Sequence, residues 1–141
     1  MSRSRVFVCS QLAPLLSPEW TGDARETQIE RDRLFARNQQ RAEALCRWVA
    51  DDKSKRPFAP QIFYTRFLDD FDPDARLLGM MLGTEDLAEC NDLWVFLPED
   101  GRPTRGMTQE IIKATELGMA IRYFHFEEWW AEAGKYCPDA A

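Results

Sequence analysis

The stretch Asp92-Leu-Trp-Val-Phe-Leu-Pro98, continuing Glu99-Asp-Gly-Arg-Pro-Thr-Arg-Gly-Met107 and then Thr108-Gln-Glu-Ile-Ile-Lys-Ala-Thr-Glu-Leu117, decides the fold. An apolar run of strand length stops at Pro98. A loop holding Gly101 and Pro103 follows, and from Thr104 the pattern turns helical, with Met107, Ile111, Ala114 and Leu117 as an inner stripe. Gly118 fits the helix stop. Strand, loop and helix in this order form the repeating unit of an α/β sheet. In such sheets ligands bind in the crevice beyond the carboxyl ends of the strands. The unit places Glu110 early in its helix, beside that crevice, where exposed N–H groups also attract anions.

The same alternation extends in both directions. Arg5–Cys9 reads as a short buried strand and Ser10–Gly22 as loop. Ala42, Leu45, Cys46 and Val49 recur at helical spacing in a helix predicted from Asn38 to about Asp52. The charged stretch Asp23–Arg37 either extends that helix or forms a cover. Pro57–Tyr64 reads as a second strand, and its two prolines argue against a central position. Asp72-Pro73 suits the start of a helix running to Cys90. Met119–Phe126 is the fourth strand, and Glu127–Gly134 a short closing helix. The expectation is a single α/β domain over residues 1–141, a flavodoxin-like or Rossmann-like three-layer sandwich with a mainly parallel sheet of four to five strands. Residues 14–37 are expected to be an insertion or lid, and 127–141 a C-terminal helix and tail.

Composition narrows the function classes. A chain of 141 residues with 45% hydrophobic content suits one core. The net charge of −6 leaves no basic surface for a nucleic-acid polymer. No apolar run approaches the length of a membrane helix. Cys9, Cys46, Cys90 and Cys137 lack zinc spacing and read as reduced thiols in a cytoplasmic protein. Gly-x-Gly-x-x-Gly and Gly-x-x-x-x-Gly-Lys are both absent, which argues against a Rossmann dehydrogenase or a P-loop enzyme. His125, the lone histidine, excludes a His-pair metal site and reads as a half-buried strand residue. No metal and no cofactor are expected.

Carboxylates remain. Glu110 is the foremost candidate, as nucleophile or base. Asp69 and Asp70 form an acidic pair after the extended Tyr64–Leu68 segment, read either as a solvated turn or as a catalytic acid. Asp92 suits capping or ligand orientation. Asn38 either starts its helix or offers an amide to a ligand.

Taken together, several motifs resemble a known group. They are Val-Phe-Val-Cys-Ser-x-Leu at Val6–Leu12, Asn-x-x-Arg-Ala at Asn38–Ala42, Pro-Phe-Ala-Pro at Pro57–Pro60, Tyr-Thr-x-Phe-Leu-Asp-Asp at Tyr64–Asp70, Asp-Leu-Trp-Val-Phe at Asp92–Phe96 and Gly-Met-x-x-Glu-Ile at Gly106–Ile111. The chain resembles small phage and bacterial proteins of unknown function related to nucleoside 2-deoxyribosyltransferases, over about Arg5–Phe124. The resemblance implies a small-molecule nucleoside or nucleotide ligand, a homo-oligomer, and cleavage or transfer of an N-glycosidic bond. Glu110 matches the transferases' nucleophile. Near an oxocarbenium-like transition state a carboxylate stabilises the positive charge and traps the sugar. Asp69 or Asp70 would protonate the departing base, Asp92 would orient the sugar, and Ser10 to Leu12 would line the site. Asn38, Tyr64, Thr104, Gly106 and Met107 complete the expected binding set, and Arg105 is a possible phosphate contact. The transferases usually orient the glutamate with a first-strand tyrosine. Here that strand carries Phe7, and Tyr64 is the candidate substitute. Two other readings stand beside the enzyme. One is a protein that binds or sequesters a nucleotide in the same pocket. The other is an interaction protein anchored by Phe124, Phe126, Trp129 and Trp130, aromatics that core packing of the last helix also explains.

Overall fold

Four parallel strands form one sheet in the order β2-β1-β3-β4, in a computed structural model that describes residues 2–138. The strands are β1 (Ser4–Cys9), β2 (Lys55–Phe58), β3 (Asp92–Phe96) and β4 (Ala120–Phe124). The helices are α1 (Ala24–Asp51), α2 (Pro60–Phe63), α3 (Pro73–Ala88), α4 (Arg105–Glu116) and α5 (Phe126–Ala133). Burial explains the order. Val6, Phe7, Val8 and Cys9 of β1 are wholly buried, as a central parallel strand covered on both faces must be. β2 contains Pro57, which lacks an N–H for the ladder, and it lies at one edge. β4 takes the other edge, where the Arg122 guanidinium lies 4.5 Å over the Phe124 ring.

The period-two alternation of β1 and β3 splits the core between two faces. Val6, Val8, Trp94 and Phe96 pack with Leu45 and Val49 of α1 and Trp129 of α5. Phe7, Cys9, Leu93 and Val95 pack with Leu87 of α3 and with Met107 and Ala114 of α4. The result is the expected single-domain α/β three-layer sandwich of flavodoxin-like or Rossmann-like type, with four strands.

Of the two readings of the charged stretch Asp23–Arg37 the structure has the helix extension, beginning at Ala24, while several other local expectations need correction. Asp23 Oδ1 accepts from Glu26 N–H at 2.8 Å, and α1 then runs unbroken for 28 residues. At 1.5 Å per residue that is about 42 Å, far more than the strands beneath it. Its first buried residue is Leu34, so its opening turns extend beyond the core. The second strand ends at Phe58 rather than Tyr64, because Pro60 suits the first position of a helix and starts α2. A 3₁₀ turn, Tyr64–Arg66, follows it. Leu117, expected on the inner stripe, is exposed at the C-cap of α4, and Gly118 reverses the chain there at φ +70°. His125 is exposed and N-caps α5, its N–H donating to Glu128 Oε1 at 3.0 Å, rather than lying in a strand. The aromatic tail is largely core. Phe124 and Trp129 are buried, and Phe126 stacks on Trp130 beside Arg41. Among the described residues, no helix is long and apolar enough to cross a membrane.

Candidate functional site

The connections leave β1 toward β2 on one side and return across β1 to β3, so the chain reverses direction between β1 and β3. In open α/β sheets that reversal opens a crevice at the carboxyl ends of the strands. A cavity of about 220 Å³ lies there on the α3–α4 side, walled by the loop after β1, α2 with its 3₁₀ turn, α3 and the first two turns of α4.

Thr104 starts the α4 wall. Its Oγ1 accepts from Met107 N–H at 3.3 Å, fixing the first turn with Arg105, Gly106 and Met107 on the cavity. One turn later Glu110 faces the same space, half-buried. Loss of water around its carboxyl pushes its pKa up to about 7, and a hydrogen bond from Cys9 offsets part of that rise. Burial, then the charge of Glu110 and the hydrogen bond to it, push the Cys9 thiol well above its ordinary range. The thiol therefore stays protonated and serves as a donor. Its Sγ also lies 3.9 Å from Met107 O.

Cys9 is one of two residues at the site that sequence reasoning missed. The alternation of β1 puts Phe7 and Cys9 on one face, and only the second reaches the carboxyl end of the strand. Phe7 packs inside against Phe58, with ring centroids 6.1 Å apart. Tyr64 does not supply the missing orienting hydroxyl. Its O–H donates to Asp86, and burial with that carboxylate pushes its pKa up to about 12. Tyr64 lines the cavity with its O–H directed to α3.

Ser10, Leu12, Asp70, Thr104, Gly106, Met107 and Glu110 all border the cavity with Tyr64. Burial raises the Asp70 carboxyl, Arg76 at 4.0 Å opposes that rise, and neighbouring Asp69 adds to it. Three candidates lie elsewhere. Asp69 is exposed, and its Oδ1 closes a turn by accepting from Phe71 N–H at 3.0 Å. Asp92 begins β3, at the opposite end of the sheet from the cavity, 3.7 Å from Lys55 Nζ. Asn38 is buried in α1, and its Nδ2 donates to Leu12 O at 3.0 Å. It anchors the loop that lines the cavity without reaching the cavity itself. Gln61, also unforeseen, donates from Nε2 to Ser10 Oγ at 2.8 Å, joining α2 to the end of β1. No group of three or more His, Cys, Asp and Glu side chains suited to a metal occurs among the described residues.

The model of a domain of unknown function, DUF7768, matches residues 4–124. The chain belongs to this family. No curated protein matches it in sequence. The matched span of the DUF7768 domain runs from β1 to the end of β4. It therefore contains every residue named around the cavity, while α5 lies beyond it.

Proposed function

We propose that the cavity takes a nucleoside, nucleotide or related ribosyl compound and that Glu110 cleaves or transfers its N-glycosidic bond. One observation carries this reading: a half-buried carboxyl group lining the carboxyl-end crevice of an α/β sheet, where burial pushes its pKa up to about 7. A carboxylate in such surroundings is a stronger nucleophile and a better stabiliser of developing positive charge than a solvated one. Its ionised form attacks the anomeric carbon. The bond from that carbon to the base nitrogen breaks, and its electron pair passes to the nitrogen, which takes a proton from Asp70. Water, or a second base, then attacks the anomeric carbon, giving up its proton to the Asp70 carboxylate, while the bond to Glu110 breaks and its electron pair returns to the carboxylate. Asp70 suits the acid role because it faces the same cavity and its pKa is also raised. Asp69, turned to solvent, drops out of that role.

The test is release of free base from a panel of nucleosides, nucleotides and NAD, followed by chromatography. Glu110→Gln should lower the rate at least ~100-fold if the carboxylate acts in the transition state. Equal product from that variant overturns the assignment.

A non-catalytic ligand-binding protein is the second reading. What favours it is the thiol of Cys9, a weaker hydrogen-bond donor than a hydroxyl, at the one place where β1 meets Glu110. It predicts a nucleotide retained through purification and no product from any compound.

A further inference from the structure

Asp70 and its neighbours divide the work of the turn before α3. Asp69 Oδ1 accepts from Phe71 N–H at 3.0 Å, and Asp72 Oδ1 caps the helix by accepting from Asp74 N–H at 3.2 Å. The Asp70 carboxyl is left over, and it borders the cavity. Among the described residues Arg76, in the first turn of α3, is the one cation paired with it, and the pair is loose. Arg76 Nη1 lies 4.0 Å from Asp70 Oδ2, beyond hydrogen-bond reach, and the Arg76 side chain is 42% exposed. Arg76 also borders the cavity, as does Arg105 in the first turn of α4, which has no ion-pair partner among the described residues. In a chain of net charge −6, two loosely held guanidinium groups thus face one enclosed space. The arrangement also sets a conflict. A cation beside Asp70 favours its ionised form, the wrong form for a group that must give a proton to a departing base.

We propose that the ligand carries a phosphate, that this phosphate draws Arg76 away from Asp70, and that the carboxyl then takes up the proton it gives to the base. The inference rests on the acid role given to Asp70 above. A phosphate offers a guanidinium two parallel hydrogen bonds in place of one contact at 4.0 Å, so the exchange is favourable. Its remaining oxygens are free for Arg105. Two changes then act on Asp70 in the same direction: a cation leaves and an anion arrives. Both favour the protonated carboxyl, which burial and the neighbouring Asp69 already favour. The other charged or titratable groups on the cavity are Glu110 of α4 and Tyr64 of the 3₁₀ turn, whose hydroxyl is committed to Asp86. The proton comes from solvent as the ligand enters. A nucleoside without a phosphate leaves Arg76 in place, so fewer molecules hold the proton and the base departs more slowly. Selection for the phosphate is thereby made at the proton transfer as well as at binding.

The experiment is carbon-13 NMR of the full-length chain labelled at its aspartate carboxyls, titrated across the acid range. The Asp70 signal is the one missing from Asp70→Asn. The probe is ribose 5-phosphate, with ribose as control. In wild type the phosphate compound should raise the Asp70 titration midpoint by on the order of 1 pH unit, and ribose should leave it unmoved. Arg76→Gln should raise the midpoint in the empty protein and lose most of the response to ribose 5-phosphate. Arg76→Lys, which keeps the charge, should hold the midpoint near that of wild type. The exposed side chain of Arg76 lets both variants keep the fold, as an unchanged far-ultraviolet circular dichroism spectrum will show. Ribose 5-phosphate that fails to bind, a midpoint it does not move, or an equal response in Arg76→Gln each overturns the proposal. The titration needs no turnover. A shift without base release keeps the phosphate site and the hold of Arg76 on Asp70 and removes the glycosidic chemistry. Base release with an unmoved midpoint removes this inference alone.

Discussion

Replacing Glu110 with glutamine should make the protein more stable at alkaline pH and leave it unchanged at acid pH. In the folded chain burial raises the carboxyl from 4.5 to about 7. Between those values the unfolded chain has released the proton and the folded chain retains it. Stability must therefore fall as pH rises through this window. The drop is full above about 7 and absent below about 4. A shift of this size corresponds to roughly 3 kcal/mol, since each unit is worth about 1.4 kcal/mol. Glutamine matches the protonated acid in shape and bears no charge to desolvate, and its amide oxygen still accepts from Cys9. Asp70 shifts in the same direction, so wild-type stability alone mixes the two groups. The difference between variant and wild type isolates Glu110. Urea denaturation of both proteins from pH 4 to pH 9 measures it. The expected result is a difference near zero at pH 4 that grows to about 2–3 kcal/mol above pH 8, or on the order of 10 °C in melting temperature. A difference independent of pH would show that Glu110 is solvated, and the catalytic reading would lose its main support.

Cys9→Ala removes the donor that restrains the Glu110 titration. The pH at which Glu110 ionises should rise, seen in the stability profile and as an upward shift in any pH–rate curve, while Cys9→Ser should shift it less. Asp70→Asn should slow base release from ordinary nucleosides and spare a substrate whose leaving group needs no proton; equal slowing of both would remove Asp70 as the acid. Asn38→Ala strips the half-buried Leu12 carbonyl of its partner and should cost about 1 kcal/mol in urea unfolding. Gly118→Ala meets no atom within 4 Å of its new Cβ, so its cost should be that of the left-handed backbone alone, about 1–2 kcal/mol.

The elements legible in the sequence are those whose local signals agree with their packing. β3 is an unbroken apolar run because both of its faces are covered, and α3 and α4 start on the capping residues that mark them, Asp72 and Thr104. Legibility fails where two signals compete. Pro57 and Pro60 lie in one apolar stretch, but Pro57 fits an edge strand and Pro60 a helix start, a distinction set by the sheet's edge rather than by either residue. The first turns of α1 have no buried residue and so no apolar stripe. Their helicity rests on the Asp23 cap and on propagation from the packed half of the helix.

For the site, the decisive variable is which end of a strand a residue occupies. Asp92 and Leu97 bracket the same run, yet five residues at about 3.3 Å each put them some 16 Å apart, and the cavity lies beyond the carboxyl ends of the strands, away from Asp92. The same reasoning separates Phe7 from Cys9. Both face α3 and α4, but a hydrogen-bonding side chain two residues short of the strand end would sit among Leu87 and Leu93 and never meet a ligand. A strand that must bury this face completely has room for one polar atom only at its last position. Cys9 fills it with a thiol small and apolar enough for the core and still able to donate. That compromise leaves Glu110 with one weak donor and little water. The carboxyl consequently titrates near neutrality, where a modest change in its surroundings on ligand binding would decide whether it carries a charge.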